Sequence, residues 1–165
     1  MTLVYLAGGM EYTSNGYTWR EKATELLSKN NIHTWDPCLE ESKVFNNKNI
    51  DSIKKYDKIK NYKKLNNMMK KLVVYDLNII HDSASHLLVK YDESVKKGAG
   101  THGEISFARY FNIPVHAWLA DLNLNEVPGW AIGCFHSLSY TLEEAVDKVL
   151  KDVKEYAKDS CSVEK

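Results

Sequence analysis

Several features that would narrow the function class are scarce in this sequence. There are three cysteines, Cys38, Cys134 and Cys161, an odd number with no CxxC spacing. That usage argues against a disulfide framework or a zinc ribbon and makes a reducing cytoplasm the expected setting. The six histidines show no HExxH or comparable ligand spacing, so they read as surface or packing residues, and neither metal nor cofactor is expected. Charge of one sign is also lacking, with 22 basic residues against 22 acidic ones. This balance removes the overall attraction that a nucleic-acid binder uses, and a small neutral substrate fits better. No run approaches membrane-spanning length. The opening MTLVYLAGGM has no basic stretch and too few apolar residues before its glycines for a signal peptide.

The 165 residues fit one domain, long enough to bury a five- or six-element core. Leu3 to Ala7 is a short apolar run that stops at Gly8-Gly9, as in a buried parallel strand ending in a sharp loop. Trp19, Ala23, Leu26 and Leu27 then recur at helical spacing, with Arg20, Glu21, Lys22 and Glu25 on the other face. His33 to Trp35 forms a second strand that Asp36-Pro37 ends. Residues 41–62 are rich in lysine and asparagine and read as an exposed insertion, either a solvated connection or a lid. Leu65, Met69, Leu72, Asp76 and Ile80 describe a helix with one carboxylate in its apolar stripe.

Leu87 to Tyr91 is a third strand, followed by a loop from Asp92 to Gly100 and a helix from Thr101 to about Tyr110. Ile113 to Leu119 is a fourth strand, Trp130 to His136 a fifth, and Thr141 starts a last helix whose tail, DSCSVEK, frays. Strands alternating with helices predict a three-layer α/β sandwich, flavodoxin-like or Rossmann-like, with a parallel sheet of about five strands. Such sheets bind ligands outside the carboxyl ends of their strands, which selects Gly8 to Tyr12 and Asp92 to Glu104.

Glu104 has two readings. Thr101 and Glu104 have the spacing of a capping box, in which the glutamate only closes the first turn of a helix. Thr141 and Glu144 have the same spacing. Gly98, Gly100 and Gly103 leave the backbone around Glu104 bare, so a ligand can approach it, whereas Glu144 sits among ordinary side chains.

The segments VYLAGGM, DLNII, LLVKYDES and GAGTHGEISFARYFNIPVHAW, in this order, resemble the nucleoside 2-deoxyribosyltransferases and the related deoxynucleotide N-hydrolases. The resemblance spans most of the chain and leaves the lysine-rich insertion unmatched. It implies that Glu104 attacks the anomeric carbon of the sugar, that Asp76 contacts or protonates the leaving base, and that Tyr5 orients the glutamate. Gly8, Gly9 and Met10 would form the floor and wall of the base pocket, with Trp19 or Trp130 as a stacking face. Asp92 would bind the sugar, and Gly98, Gly100 and Thr101 would offer amides to the substrate. Two departures accompany this. The family's sugar-binding aspartate lies closer to the glutamate, at the position of Gly98, and Ser85-His86 replaces an aspartate found in relatives. The resemblance further implies a homo-oligomer in which a segment after the fourth strand, the region of Asn123 and Asn125, enters the neighbouring subunit's site.

Three functions remain open on these residues. The first is transfer of 2-deoxyribose between bases, the second hydrolysis of a deoxynucleoside 5'-monophosphate, and the third sequestration of a nucleotide without turnover. With only Arg20 and Arg109 to read a phosphate, nucleosides are the favoured substrates.

Overall fold

A computed structural model describes residues 2–10, 16–44, 60 and 62–162. Five strands, β1 (Leu3–Gly8), β2 (His33–Trp35), β3 (His86–Tyr91), β4 (Val115–Leu119) and β5 (Ser137–Ser139), form one sheet. Its order is β2-β1-β3-β4-β5 and every pairing is parallel. Helices cover both faces, giving the expected three-layer flavodoxin-like architecture. After β1 the chain places β2 on one side, then returns to place β3 on the other. The two strands thus flank a topological switch point, where loops diverge and leave a crevice.

Strand side chains alternate between the faces and sort the core into two clusters. Tyr5, Ala7, Leu87, Val89, Tyr91, Val115 and Ala117 point to one face. That face is covered by α3 (Tyr62–Asp82), α5 (Gly100–Tyr110) and α6 (Gly129–Cys134). Val4, Leu6 and Leu88 point to the other, where they meet α1 (Thr18–Ser28) and α7 (Leu142–Ser162). Leu142, Ala145, Val146 and Val149 are the buried stripe of α7. Each leucine or valine of this kind stabilises the fold by about 1.5–3 kcal/mol on full burial.

Five readings of the secondary structure change. Asp36-Pro37 ends β2 by opening a helix, α2 (Pro37–Val44), whose first turn is capped by Asp36 Oδ1 accepting from the Cys38 amide at 2.9 Å. Positions 41–44 of the expected insertion thus belong to α2 and Tyr62 to α3, while 45–59 and 61 lie outside the described residues. The segment Asp92 to Gly100 contains a short helix, α4 (Glu93–Lys97). Trp130 to His136 is mostly α6, and the fifth strand comes after it. Its buried residues, Ala131 and Cys134, are three apart, whereas Trp130 is 74 % exposed, a helical and not an alternating pattern. The last helix continues through Ser162, so the DSCS of the tail is helical.

Arg20 departs furthest from expectation, being fully buried and not on the solvent face of α1. Its guanidinium donates to the carbonyls of Leu6 at 3.3 Å and Gly8 at 3.0 Å, and to that of Gly16. Asp36 supplies the counter-charge at 3.4 Å. One cation therefore ties the end of β1 to α1 and to the loop after β2.

Candidate active site

Glu104 lies in the first turns of α5, buried to 9 % exposure where that helix packs on β1. The capping box proposed for it does not form. The N-cap is Ala99, which offers no side-chain bond, and Thr101 falls inside the helix. Glu104 Oε1 instead accepts a hydrogen bond from the Tyr5 hydroxyl at 2.8 Å, joining residues 99 positions apart. At the start of α7 the same spacing does make a cap. The Glu144 amide donates to Thr141 Oγ1 at 3.2 Å, and Glu144 Oε2 accepts from the Tyr140 amide at 3.1 Å. The two glutamates, alike in sequence spacing, have different occupations.

Asp76 comes from α3, where Leu72, Asp76 and Ile80 recur every four residues on the buried side. The stripe that packs the helix carries the carboxylate inward with it. Burial pushes its pKa up to about 8, and the charge of Glu104 adds to the rise. Asp76 Oδ1 is buried and has no hydrogen-bond partner. Burial holds the pKa of Glu104 above the ordinary carboxylate value, and the Tyr5 hydroxyl and the Arg20 guanidinium offset part of that rise. Burial, and then the two carboxylates, hold the Tyr5 phenol well above its ordinary value, so it stays a donor. Two carboxyl groups in mutual electrostatic contact are thus held in unequal environments. Asp76 keeps its proton near neutrality, while Glu104 has a donor and a cation favouring its ionised form.

The glycines divide into two kinds. A Cβ on Gly9 would stand 1.9 Å from Ser94 Oγ, and one on Gly8 would stand 3.0 Å from the Trp19 ring. Both are glycines because the loop after β1 packs closely on α4 and α1. At Gly100 and Gly103 a Cβ would meet nothing within 4 Å, so the backbone beside Glu104 is open as expected. Met10 is half-buried, and its sulfur contacts the Cys38 thiol at 2.8 Å, fastening this loop to α2.

Asp92 has a structural task. It caps α4, accepting from the Ser94 amide at 2.9 Å, the Val95 amide at 3.3 Å and the Ser94 hydroxyl, with Lys90 at 3.0 Å. Burial raises its pKa, but the Ser94 and Lys90 bonds outweigh that and hold it below the ordinary carboxylate value. Gly98 ends α4, and its carbonyl bonds His102 Nδ1 at 3.1 Å. His102 Nε2 meets the Tyr91 hydroxyl at 2.8 Å. This Tyr91–His102 link holds the glycine loop to β3, and the sequence reading missed it. Thr101 is buried beside these groups.

Neither tryptophan stacks over Glu104. Trp19 packs edge-on against Trp118 on the opposite face of the sheet, and Trp130 lies at the surface with its indole N–H on Ser106 Oγ at 2.8 Å. A groove of about 410 Å³ runs past Trp19, Trp118, Tyr140 and Glu143, again on the other face. Two carboxylates line it, Asp121 and Glu143, and Glu143 is paired with Lys22. Asn123 caps the 3₁₀ turn Leu124–Glu126 through a reciprocal bond with Glu126. Among the described residues, no helix is long and apolar enough to cross a membrane.

No family model and no curated protein matches this chain.

Proposed function

We propose that the chain breaks the N-glycosidic bond of 2'-deoxyribonucleosides and passes the 2-deoxyribosyl group to a second base through a covalent intermediate on Glu104. The observation that carries this reading is the buried triad of Tyr5, Glu104 and Asp76, with one carboxylate oriented by a phenol and the other kept protonated. In the first step Glu104 attacks the anomeric carbon as its bond to the base nitrogen breaks, and Asp76 gives its proton to that nitrogen. In the second, an incoming base or water attacks the same carbon, the bond to Glu104 breaks, and Asp76 recovers a proton. This is the double displacement of retaining glycosidases, with a nucleobase as leaving group. Tyr5 is a positioning residue.

Hydrolysis of deoxynucleoside 5'-monophosphates is the second reading, and the structure weakens its support. Arg20 spends its donors on backbone carbonyls, the Ser94 hydroxyl is engaged by Asp92, and Arg109 is exposed near the far end of α5 from Glu104. Of the groups named for a phosphate, the described residues leave the amides before Glu104, and Ser14 lies outside the described residues. Sequestration of a nucleotide without turnover would leave the unequal pair of carboxyl groups without a use. The same reading carries a homo-oligomer with a subunit contribution from the region of Asn123 and Asn125, and a reducing, cytoplasmic setting in which Cys38 and Cys134 stay thiols.

One experiment orders the three. The protein is incubated with deoxyribonucleosides and deoxynucleotides, with and without added free base, and the products are followed by chromatography. A new nucleoside supports transfer, and free base without exchange supports hydrolysis. Tight binding with no turnover overturns both in favour of sequestration.

A further inference from the structure

A second group of buried polar side chains lies at the amino ends of the strands and on the opposite face of the sheet. His86 begins β3, His116 is the second residue of β4, His136 immediately precedes β5, and Asp152 reaches them from α7. Strand register brings the histidines together, because His116 pairs with Ser137 across β4 and β5 while His86 lies one strand over. His86 and His116 are 3 % and 1 % exposed, and their rings stack at 5.7 Å. Three imidazole Nε2 atoms surround one carboxylate oxygen. Asp152 Oδ2 lies 3.5 Å from His86, 3.3 Å from His116 and 3.6 Å from His136.

At 3.3–3.6 Å these contacts are longer than a charge-assisted hydrogen bond. Nε2 of His86, Nε2 of His116 and Oδ2 of Asp152 are all buried with no hydrogen-bond partner. The tautomer of His86 explains why. Ser85 Oγ donates its only proton to the Leu3 carbonyl at 3.0 Å, so it must accept from His86 Nδ1, also at 3.0 Å. A neutral His86 therefore aims a bare Nε2 lone pair at an anionic oxygen. His116 Nδ1 lies 2.8 Å from Ser137 Oγ, a contact in which either atom can be the donor. A lone pair buried against a carboxylate oxygen is unfavourable unless a cation lies between them.

The spacing suits such a cation. Zinc bonds to imidazole nitrogen and carboxylate oxygen are about 2.0–2.1 Å, which gives tetrahedral edges of about 3.3–3.4 Å. The three distances to Asp152 fall at or just above that edge, and the ligand atoms of His86, His116 and Asp152 all lie within 4.8 Å of one another. Serine hydroxyls bonded to the remote ring nitrogens are the outer shell that such histidines need.

We propose that His86, His116 and Asp152 hold a divalent first-row transition ion, zinc fitting best, and that the exposed His136, 3.6 Å from the same Asp152 oxygen but outside their 4.8 Å group, turns in as the fourth, tetrahedral ligand. Four protein ligands close the coordination shell, so its role is structural, stapling α7 across β3, β4 and the start of β5. His136, the exposed member, is the side from which the ion enters. No ligand motif marks this site in the sequence, because each ligand comes from a different element and no two are close along the chain.

The test uses the full chain after dialysis against a chelator. Zinc is titrated against a chromophoric competitor, cobalt is added separately to read visible absorption, and melting is followed with and without zinc. One ion per chain, a cobalt spectrum of tetrahedral intensity and a higher melting temperature are expected. Asp152→Asn and His136→Ala should each weaken binding at least tenfold, and Ser85→Ala about 10- to 100-fold. His136 is at the surface, so its variant keeps the test valid if substitution of a buried ligand prevents folding. No binding by the parent chain overturns the proposal, as does binding that both Asp152→Asn and His136→Ala leave unchanged.

Discussion

The sheet carries two clusters of buried ionisable groups, and they handle the same difficulty differently. Where α5 packs on β1, Glu104 and Asp76 are two acids in one apolar place. At the amino ends of β3 and β4, His86, His116 and Asp152 are two bases and an acid in another. Among the acids the conflict is relieved by a proton, which Asp76 holds up to about 8, and by a phenol and a guanidinium that favour ionised Glu104. Among the histidines a serine fixes one proton on the wrong side of the ring to help, and the inward atoms stay bare. A site relieved by a movable proton suits proton transfer, and a site that only a cation relieves suits binding. The clusters are therefore separable by substitution.

The largest expected effect comes from Glu104→Gln. It removes the nucleophile while keeping the shape and the Tyr5 hydrogen bond, so turnover should fall by about 10⁴-fold or more. Melting temperature should hold or rise, because a charge desolvated by burial is removed. The cobalt spectrum of the histidine cluster should be unchanged. Equal turnover, measured as release of free base, sinks the catalytic assignment.

Asp76→Asn comes next. Loss of the proton donor should cost about 10²- to 10⁴-fold in turnover. In the parent chain, activity should decline as pH rises through about 8, where Asp76 gives up its proton, and the variant should lose that limb. Stability carries the same signature. Unfolded Asp76 releases its proton near 3.8 and the folded chain near 8, so between these values the folded state binds more protons. Its contribution to stability is therefore greatest below about 4 and is lost as pH rises towards 8. Asp76→Asn should gain stability over the parent across that window, read as urea midpoints at several pH values. A parallel pair of pH profiles would show that Asp76 is ordinary.

Tyr5→Phe is expected to be milder. A hydrogen bond to a charged group contributes about 1.5–3 kcal/mol, which corresponds to roughly 10- to 100-fold in turnover. The phenol favours ionised Glu104, so removing it raises that pKa further, and the ascending limb of the pH–rate profile should move to higher pH. A lower rate with an unmoved limb would reduce Tyr5 to packing.

What could be read from the sequence follows from range. Asp76 was legible because a four-residue period set Leu72 and Ile80 on either side of it, and β1, β3 and β4 because their apolar runs are bounded by turn residues. Trp130 to His136 was misread because β5 is a three-residue edge strand, too short to show a period, and the helix before it lent it apolar residues. Arg20 could not be placed, since its partners are backbone carbonyls brought to it by β1 packing on α1. The histidine cluster depends on the register of three strands and one helix. Local spacing holds none of that information.

The smallest predicted effect separates a cap from a site using two residues of one type. Thr141 Oγ1 accepts from the Glu144 amide, so Thr141→Ala should lower stability by about 0.5–2 kcal/mol, as for other N-caps, and leave turnover unchanged. Thr101→Ala removes no cap, because α5 begins with Ala99 as its N-cap. Its stability change should therefore come only from the lost packing of a small buried side chain, and any change in turnover would come from its place one turn before Glu104. Chemical denaturation of both variants, alongside product release, decides the matter. If Thr101→Ala instead showed the helix-cap loss of Thr141→Ala with no effect on turnover, Glu104 would return to being the closing residue of a capping box.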